Sequence, residues 1–396
     1  MDRTKRADLA YLAAILVGIL FIVLLGPLDR RLELVHQNDF SGFWSGARAI
    51  LIGADPWSPD QFPKVQQTFD TQRSDGAIYG YMPWTAIALL PLGALPLETA
   101  AWIWMVLSML CAALALRALL RSFVPARPIV HGALGLALFV GQPGFHTIVL
   151  GQWALLLFSA LALIVLAVRA DQPRRAAVAA VTLLAKPQLF VWTGLGLAVP
   201  AIWDQRYRRF VISALVIAGV VVVASWLAFP GWFPAWIDDI ATRRTGRSAV
   251  LFSAFGQVLG TPGRVLAVIV IAIGVAVASR FRPGTDAWLA VWLALSSAGA
   301  IYSWSYDHVL LFVPLVLGSG VLLAAGRERA MTRLALGGAL TLLVVSPVFY
   351  AIGVARRDET FSIAVPVAFF VAIVWTLWPY RTASVSEHAA QQVQAA

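Results

Sequence analysis

Leu9 to Leu28 is an apolar run reaching about 30 Å as a helix at 1.5 Å per residue, the thickness of one bilayer core. Runs of this kind recur along the chain and restrict its fold severely. Hydrocarbon offers no partner for backbone N–H and C=O groups, so only helices or closed barrels can cross it. The runs are continuous rather than alternating, which predicts an all-α polytopic membrane protein. The content of 60% hydrophobic and 13% charged residues agrees with that class.

Further crossings are expected at 98–120, 128–140, 152–168, 176–185, 188–203, 210–229, 264–279, 286–302, 308–325, 334–352 and 362–380, about twelve with the first. The pair 176–185 and 188–203 reads as two half-helices meeting at Lys186-Pro187. The first run exceeds a usual signal-peptide core, and Leu24-Leu25-Gly26-Pro27 is a poor cleavage site, so it reads as a crossing. Residues 1–381 are expected to form one membrane domain, with 30–82 as a first outer loop carrying short interfacial helices. Residues 382–396, rich in Ala and Gln, read as a disordered cytoplasmic tail that includes His388.

Arginines alternate along this map. Arg3, Lys5 and Arg6 precede the first run, and Arg117, Arg121 and Arg127, then Arg169, Arg174 and Arg175, then Arg206, Arg208 and Arg209 mark later loops. Arg280, Arg282, Arg327, Arg329, Arg333 and Arg381 continue the series. Cytoplasmic loops collect such residues, which predicts a plasma-membrane protein with both termini cytoplasmic. The same reading assigns the net charge of +10 to orientation, so no nucleic-acid partner is expected. Arg243, Arg244 and Arg247 form the one notable basic cluster on the outer side, suited to an anionic lipid of any kind.

The chemically unusual segments fall on the outer side. They include Asp39 to Trp57, Tyr79 to Trp84, Gly141 to His146, Gly151-Gln152, Lys186-Pro187-Gln188, Trp232 to Arg247 and Ser303 to His308. Such a concentration suggests an external cavity open to lipid. Cys111 lies in an apolar run and only packs, and no Cys/His metal spacing or Gly-rich phosphate loop is present. Neither a metal nor another cofactor is expected.

Asn38-Asp39-Phe40, Gly53-Ala54-Asp55-Pro56-Trp57, Tyr81-Met82-Pro83, Gly151-Gln152, Ala185-Lys186-Pro187-Gln188 and Tyr306-Asp307-His308, in that order, resemble glycosyltransferase family 87. The resemblance implies a GT-C membrane fold and an inverting transfer, typically of mannose, from a polyprenyl-phosphate donor on the outer face. Related enzymes transfer arabinose from an equivalent donor. The chain departs from the family pattern with Met82-Pro83-Trp84 in place of a Pro-Pro pair, and with Trp57 in place of Tyr. The implied partners are the donor, a lipid or glycan acceptor and the surrounding lipid, with the protein acting as a monomer.

Inversion needs one base, and Asp39 is the expected one, its alternative being an N-cap for the helix that begins at Phe40. The departing phosphate calls for cations. Lys186 interrupts an apolar stretch and is expected over the phosphate, with snorkelling to the interface as its alternative. His308, structural in the plainer reading, joins it, as do Arg243 and Arg244. Asp55, Tyr81, Trp84, Gln152, Gln188 and Trp44 are expected around the substrate, each also readable as a turn former, polar helix end or interfacial aromatic. The competing function is a transporter or flippase of lipid-linked sugars, since broken helices also mark substrate pathways.

Overall fold

The computed structural model of the protein describes residues 2–25, 35–36, 38–71, 78–242 and 247–382. Arg243, Arg244 and residues 383–396, including His388, lie outside the described residues, as does part of the first loop. Every regular element among the described residues is helical.

Eight of these helices are long and apolar enough to cross a membrane: Arg3–Leu24, Leu97–Phe123, Pro128–Leu150, Gln205–Ala228, Thr261–Ala278, Ser305–Ala324, Glu328–Arg356 and Thr360–Tyr380. Ala154–Arg169, Val191–Ile202 and Asp286–Ala298 are apolar but shorter. The expected crossing at 176–185 is the 11-residue helix Pro173–Leu183, opened by Pro173, Arg174 and Arg175. Eight of the twelve expected crossings are thus long enough for a full span among the described residues, and four are shorter. Burial inside protein accompanies the apolar character of Ala154–Arg169 and Asp286–Ala298, whereas Val191–Ile202 leaves Val191, Leu195 and Ile202 exposed.

Burial separates centre from rim. Every residue of Asp286–Ala298 is buried except Asp286 itself, and 78% of the central window of Ser305–Ala324 is buried. Only 11% of the corresponding window of Gln205–Ala228 is buried, and its Leu215, Val220 and Leu227 face outward. Lipid contacts that rim as readily as protein would, so apolar sequence alone does not distinguish rim from centre.

The bundle has two chemically different ends. At one, helix termini are tied by ion pairs: Asp8 with Arg121 (2.5 Å), Arg127 with Glu328 (2.6 Å) and Arg169 with Asp286 (2.6 Å). The Arg282 backbone N–H donates to the Arg381 carbonyl at the same end (2.7 Å). At the opposite end the first loop folds into the helices Asp39–Leu51, Phe62–Thr68 and Pro83–Ala88, packed over the bundle. Tryptophans knit that region together through their indole N–H groups. Trp44 donates to the Leu95 carbonyl, Trp57 to Tyr81, Trp84 to Leu184 and Trp104 to Gly151. These indoles satisfy carbonyls where helices end or chains turn.

Candidate active site

Asn38, not Asp39, caps the first loop helix. Its side chain accepts from the Ser41 N–H (3.2 Å), leaving the Asp39 carboxylate at the first helical position for other work. That carboxylate accepts a hydrogen bond from the Gln152 side-chain amide. Asp39 is 8% exposed and lines a cavity of about 350 Å³ at the end of the bundle remote from the ion-paired arginines.

Gly151 explains how Gln152 reaches this position. The helix Gln142–Leu150 ends there with φ at 66°, the left-handed region, and the Gln152 N–H returns to the Thr147 carbonyl (2.9 Å). A Cβ on Gly151 would lie 2.6 Å from the Phe40 Cβ, beside Asp39. Only glycine satisfies both the turn and the close approach. The Trp104 indole then fixes the Gly151 carbonyl at 2.8 Å.

Tyr81 also lines the cavity, and its carbonyl accepts from the Trp57 indole (3.0 Å). Asp55 stands behind that contact. Its carboxylate takes the Trp57 backbone N–H at 2.9 Å in an Asx turn, so it braces the wall without lining it. Trp44 is buried against Phe69, and Trp84 packs edge-on against Trp232 while holding the Leu184 carbonyl. Neither indole lines the cavity. Gln188 sits half-buried on the 3-10 turn Pro187–Leu189, also outside it.

The expected break at Lys186-Pro187 separates Pro173–Leu183 from Val191–Ala198, as the restriction on a residue before proline favours. Lys186 is 4% exposed and does not snorkel. Its Nζ donates to Asp307 Oδ1 at 2.9 Å and lies 4.4 Å from the centre of the Tyr306 ring. The second Asp307 oxygen accepts from the Trp304 N–H (3.1 Å), so that carboxylate is committed twice. Tyr306 separates this pair from the cavity, which it lines. His308 is 1% exposed, and neither ring nitrogen has a hydrogen-bond partner among the described residues.

Two further residues line the cavity: Glu359, which no sequence signal marks, and His146, which lies in the unusual segment Gly141 to His146 without an expected role of its own. One Glu359 carboxylate oxygen accepts from the Ser305 N–H at 2.9 Å, and burial pushes that carboxyl above the usual range. His146 lies between Gln142 (3.2 Å) and the Tyr350 hydroxyl (3.2 Å). Gln142 donates to Ser305 Oγ and accepts from Ser346 Oγ, so the network runs from His146 to the residue that holds Glu359. Arg247 is exposed, and its carbonyl accepts the Glu359 backbone N–H at 3.1 Å.

A carboxylate that accepts from an amide on a cavity wall, within an apolar helical bundle, suits proton abstraction from a bound hydroxyl. The model of glycosyltransferase family 87 matches residues 79–314, more than half of the chain. That stretch contains Gln152, Lys186 and His308, while Asp39 and Glu359 flank it on either side. No curated protein and no solved structure matches the chain. The chain belongs to glycosyltransferase family 87.

Proposed function

We propose that this glycosyltransferase works with inversion on a GT-C fold. It moves a sugar, most simply mannose, from a polyprenyl-phosphate donor to a hydroxyl of a lipid or glycan acceptor on the outer face. The observation that carries this reading is the Asp39 carboxylate on the cavity wall, oriented by Gln152. In the reaction Asp39 accepts the acceptor hydroxyl proton as that oxygen attacks the anomeric carbon. The bond to the donor phosphate breaks with its electron pair leaving on the phosphate. A phosphate departs as a stable anion, so the step asks for one base and a nearby cation rather than a second carboxylate. Lys186 is the candidate cation, reached from the cavity past Tyr306. Phosphate then competes with Asp307 for its ammonium.

Membranes carrying the protein, supplied with radiolabelled polyprenyl-phosphate mannose, provide the test. Asp39→Asn is expected to lower transfer about 10²- to 10⁴-fold. Full transfer by that variant removes Asp39 as the base. Movement of the sugar lipid across the membrane without transfer would instead favour a flippase.

A further inference from the structure

Inverting transfer uses one carboxylate, yet the cavity contains a second acid. Glu359 is set in place by its backbone as well as its side chain. Arg357 turns the chain in the left-handed region (φ 54°), an uncommon conformation for a residue with a long side chain. Asp358 then receives the Thr360 N–H (2.9 Å) and the Gln257 amide (2.7 Å), fixing both sides of the turn. The Glu359 N–H is held by the Arg247 carbonyl and its carboxylate by the Ser305 N–H. Ser305 is in turn positioned by Gln142. Ser346, which completes the Gln142 contacts, follows directly on a π-helical turn at Thr341–Val345, a widening often found at functional sites.

Among the described residues Glu359 forms no ion pair, unlike buried Asp307. A carboxylate offers about four acceptor positions, and its contacts with Ser305 use only some of them. The same cavity is also lined by Tyr302, Trp304 and Gln66. Aromatic faces, an amide and a carboxylate with acceptor positions beyond those used by Ser305 fit a neutral polyhydroxylated ring better than a phosphate, which the acid would repel. Ser305 is two residues from Asp307, the partner of Lys186. Glu359 therefore belongs to the side of the cavity nearer the candidate phosphate cation, where the sugar being transferred would sit.

We propose that Glu359 is the specificity-determining residue for the transferred sugar, accepting a hydrogen bond from one of its ring hydroxyls while Asp39 handles the acceptor proton. This assignment rests on the polyprenyl-phosphate reading above. It makes Glu359 a binding group whose loss is felt in the choice of donor rather than in the chemical step.

A crossed deletion tests it with full-length protein in liposomes. Wild type, Glu359→Gln and Glu359→Ala are each assayed with polyprenyl-phosphate mannose and with its monodeoxy analogues. Wild type should lose roughly 10- to 100-fold in kcat/KM on one analogue, the value of a hydrogen bond to a charged group. Glu359→Ala should lose a similar factor on the parent donor and nothing further on that analogue, with Glu359→Gln between the two. The ratio of parent to analogue is internal to each variant, so a reduced folded fraction cancels. Equal penalties on every donor, or wild-type rates from both variants, would overturn the assignment of Glu359 alone. Absence of transfer by wild type from every such donor would overturn the polyprenyl-phosphate reading, and this inference with it.

Discussion

Asp39 and Lys186 are both buried, polar and at the same end of the bundle, yet their surroundings are opposite. Asp39 meets the neutral Gln152 amide and the cavity. Lys186 meets a carboxylate at 2.9 Å and an aromatic ring, with Tyr306 between it and the cavity. A carboxylate on a cavity wall is within reach of whatever occupies the cavity. A cation with its counter-ion in place is electrostatically satisfied until another anion competes for it. Similar burial thus leaves one group on a cavity wall and the other against a counter-ion.

The first way to break this comparison is to remove each charge and ask what is lost. Asp39→Asn should leave the unfolding temperature in detergent near that of wild type while transfer falls by the factor given above. Lys186→Met should do the reverse in emphasis, lowering stability by about 3–5 kcal/mol because Asp307 is left buried without its cation. The double variant Lys186→Met/Asp307→Leu should recover most of that loss, as replacing a whole buried pair by apolar groups is often neutral or better. Equal stability of the single and double variants would show that the pair is not coupled.

A smaller effect is expected at the hinge that delivers Gln152. Gly151→Ala places a side chain in the left-handed region, at a cost of about 1–2 kcal/mol, and presses on Phe40. Unfolding should shift by at least that amount, and kcat should fall because the partner of Asp39 moves. A variant with unchanged kcat would separate Gln152 from the base.

The smallest effect concerns Glu359, whose carboxyl is held above its ordinary range by burial. Its folded form favours the proton, so its contribution to stability is fully present below the unfolded value. That contribution is lost as pH rises through the folded one. Glu359→Gln should flatten that part of the pH–stability curve and gain relative to wild type toward neutral pH. Thermal unfolding from pH 4 to pH 8 measures the difference, and parallel curves for the two proteins would contradict it.

Asp39, Tyr81 and Gln152, which line the cavity, were legible along the chain because they sit in short polar interruptions of apolar sequence. Gly151-Gln152 and Lys186-Pro187 stand out for that reason, as do Asp39 and Asp307. Pairing across the fold was not readable. Lys186 and Asp307 are 121 residues apart, and only the packed bundle shows that one neutralises the other. Glu359 was hidden differently. It follows Arg356, Arg357 and Asp358, so it resembles an ordinary charged loop, and only the approach of Ser305 places it on the cavity wall. Four of the expected crossings are shorter than a full span, and one of them, Asp286–Ala298, is apolar and buried in protein. Trp44 and Trp84 carry the residue type of a sugar platform but spend their indole N–H groups on backbone carbonyls.

The most direct test of the central claim is a single-turnover measurement on purified protein in liposomes, with radiolabelled polyprenyl-phosphate mannose bound before acceptor is added. Donor retention by Asp39→Asn should match wild type while the transfer rate falls about 10²- to 10⁴-fold. A wild-type transfer rate in that variant, with donor equally bound, would contradict the assignment of Asp39 as the base.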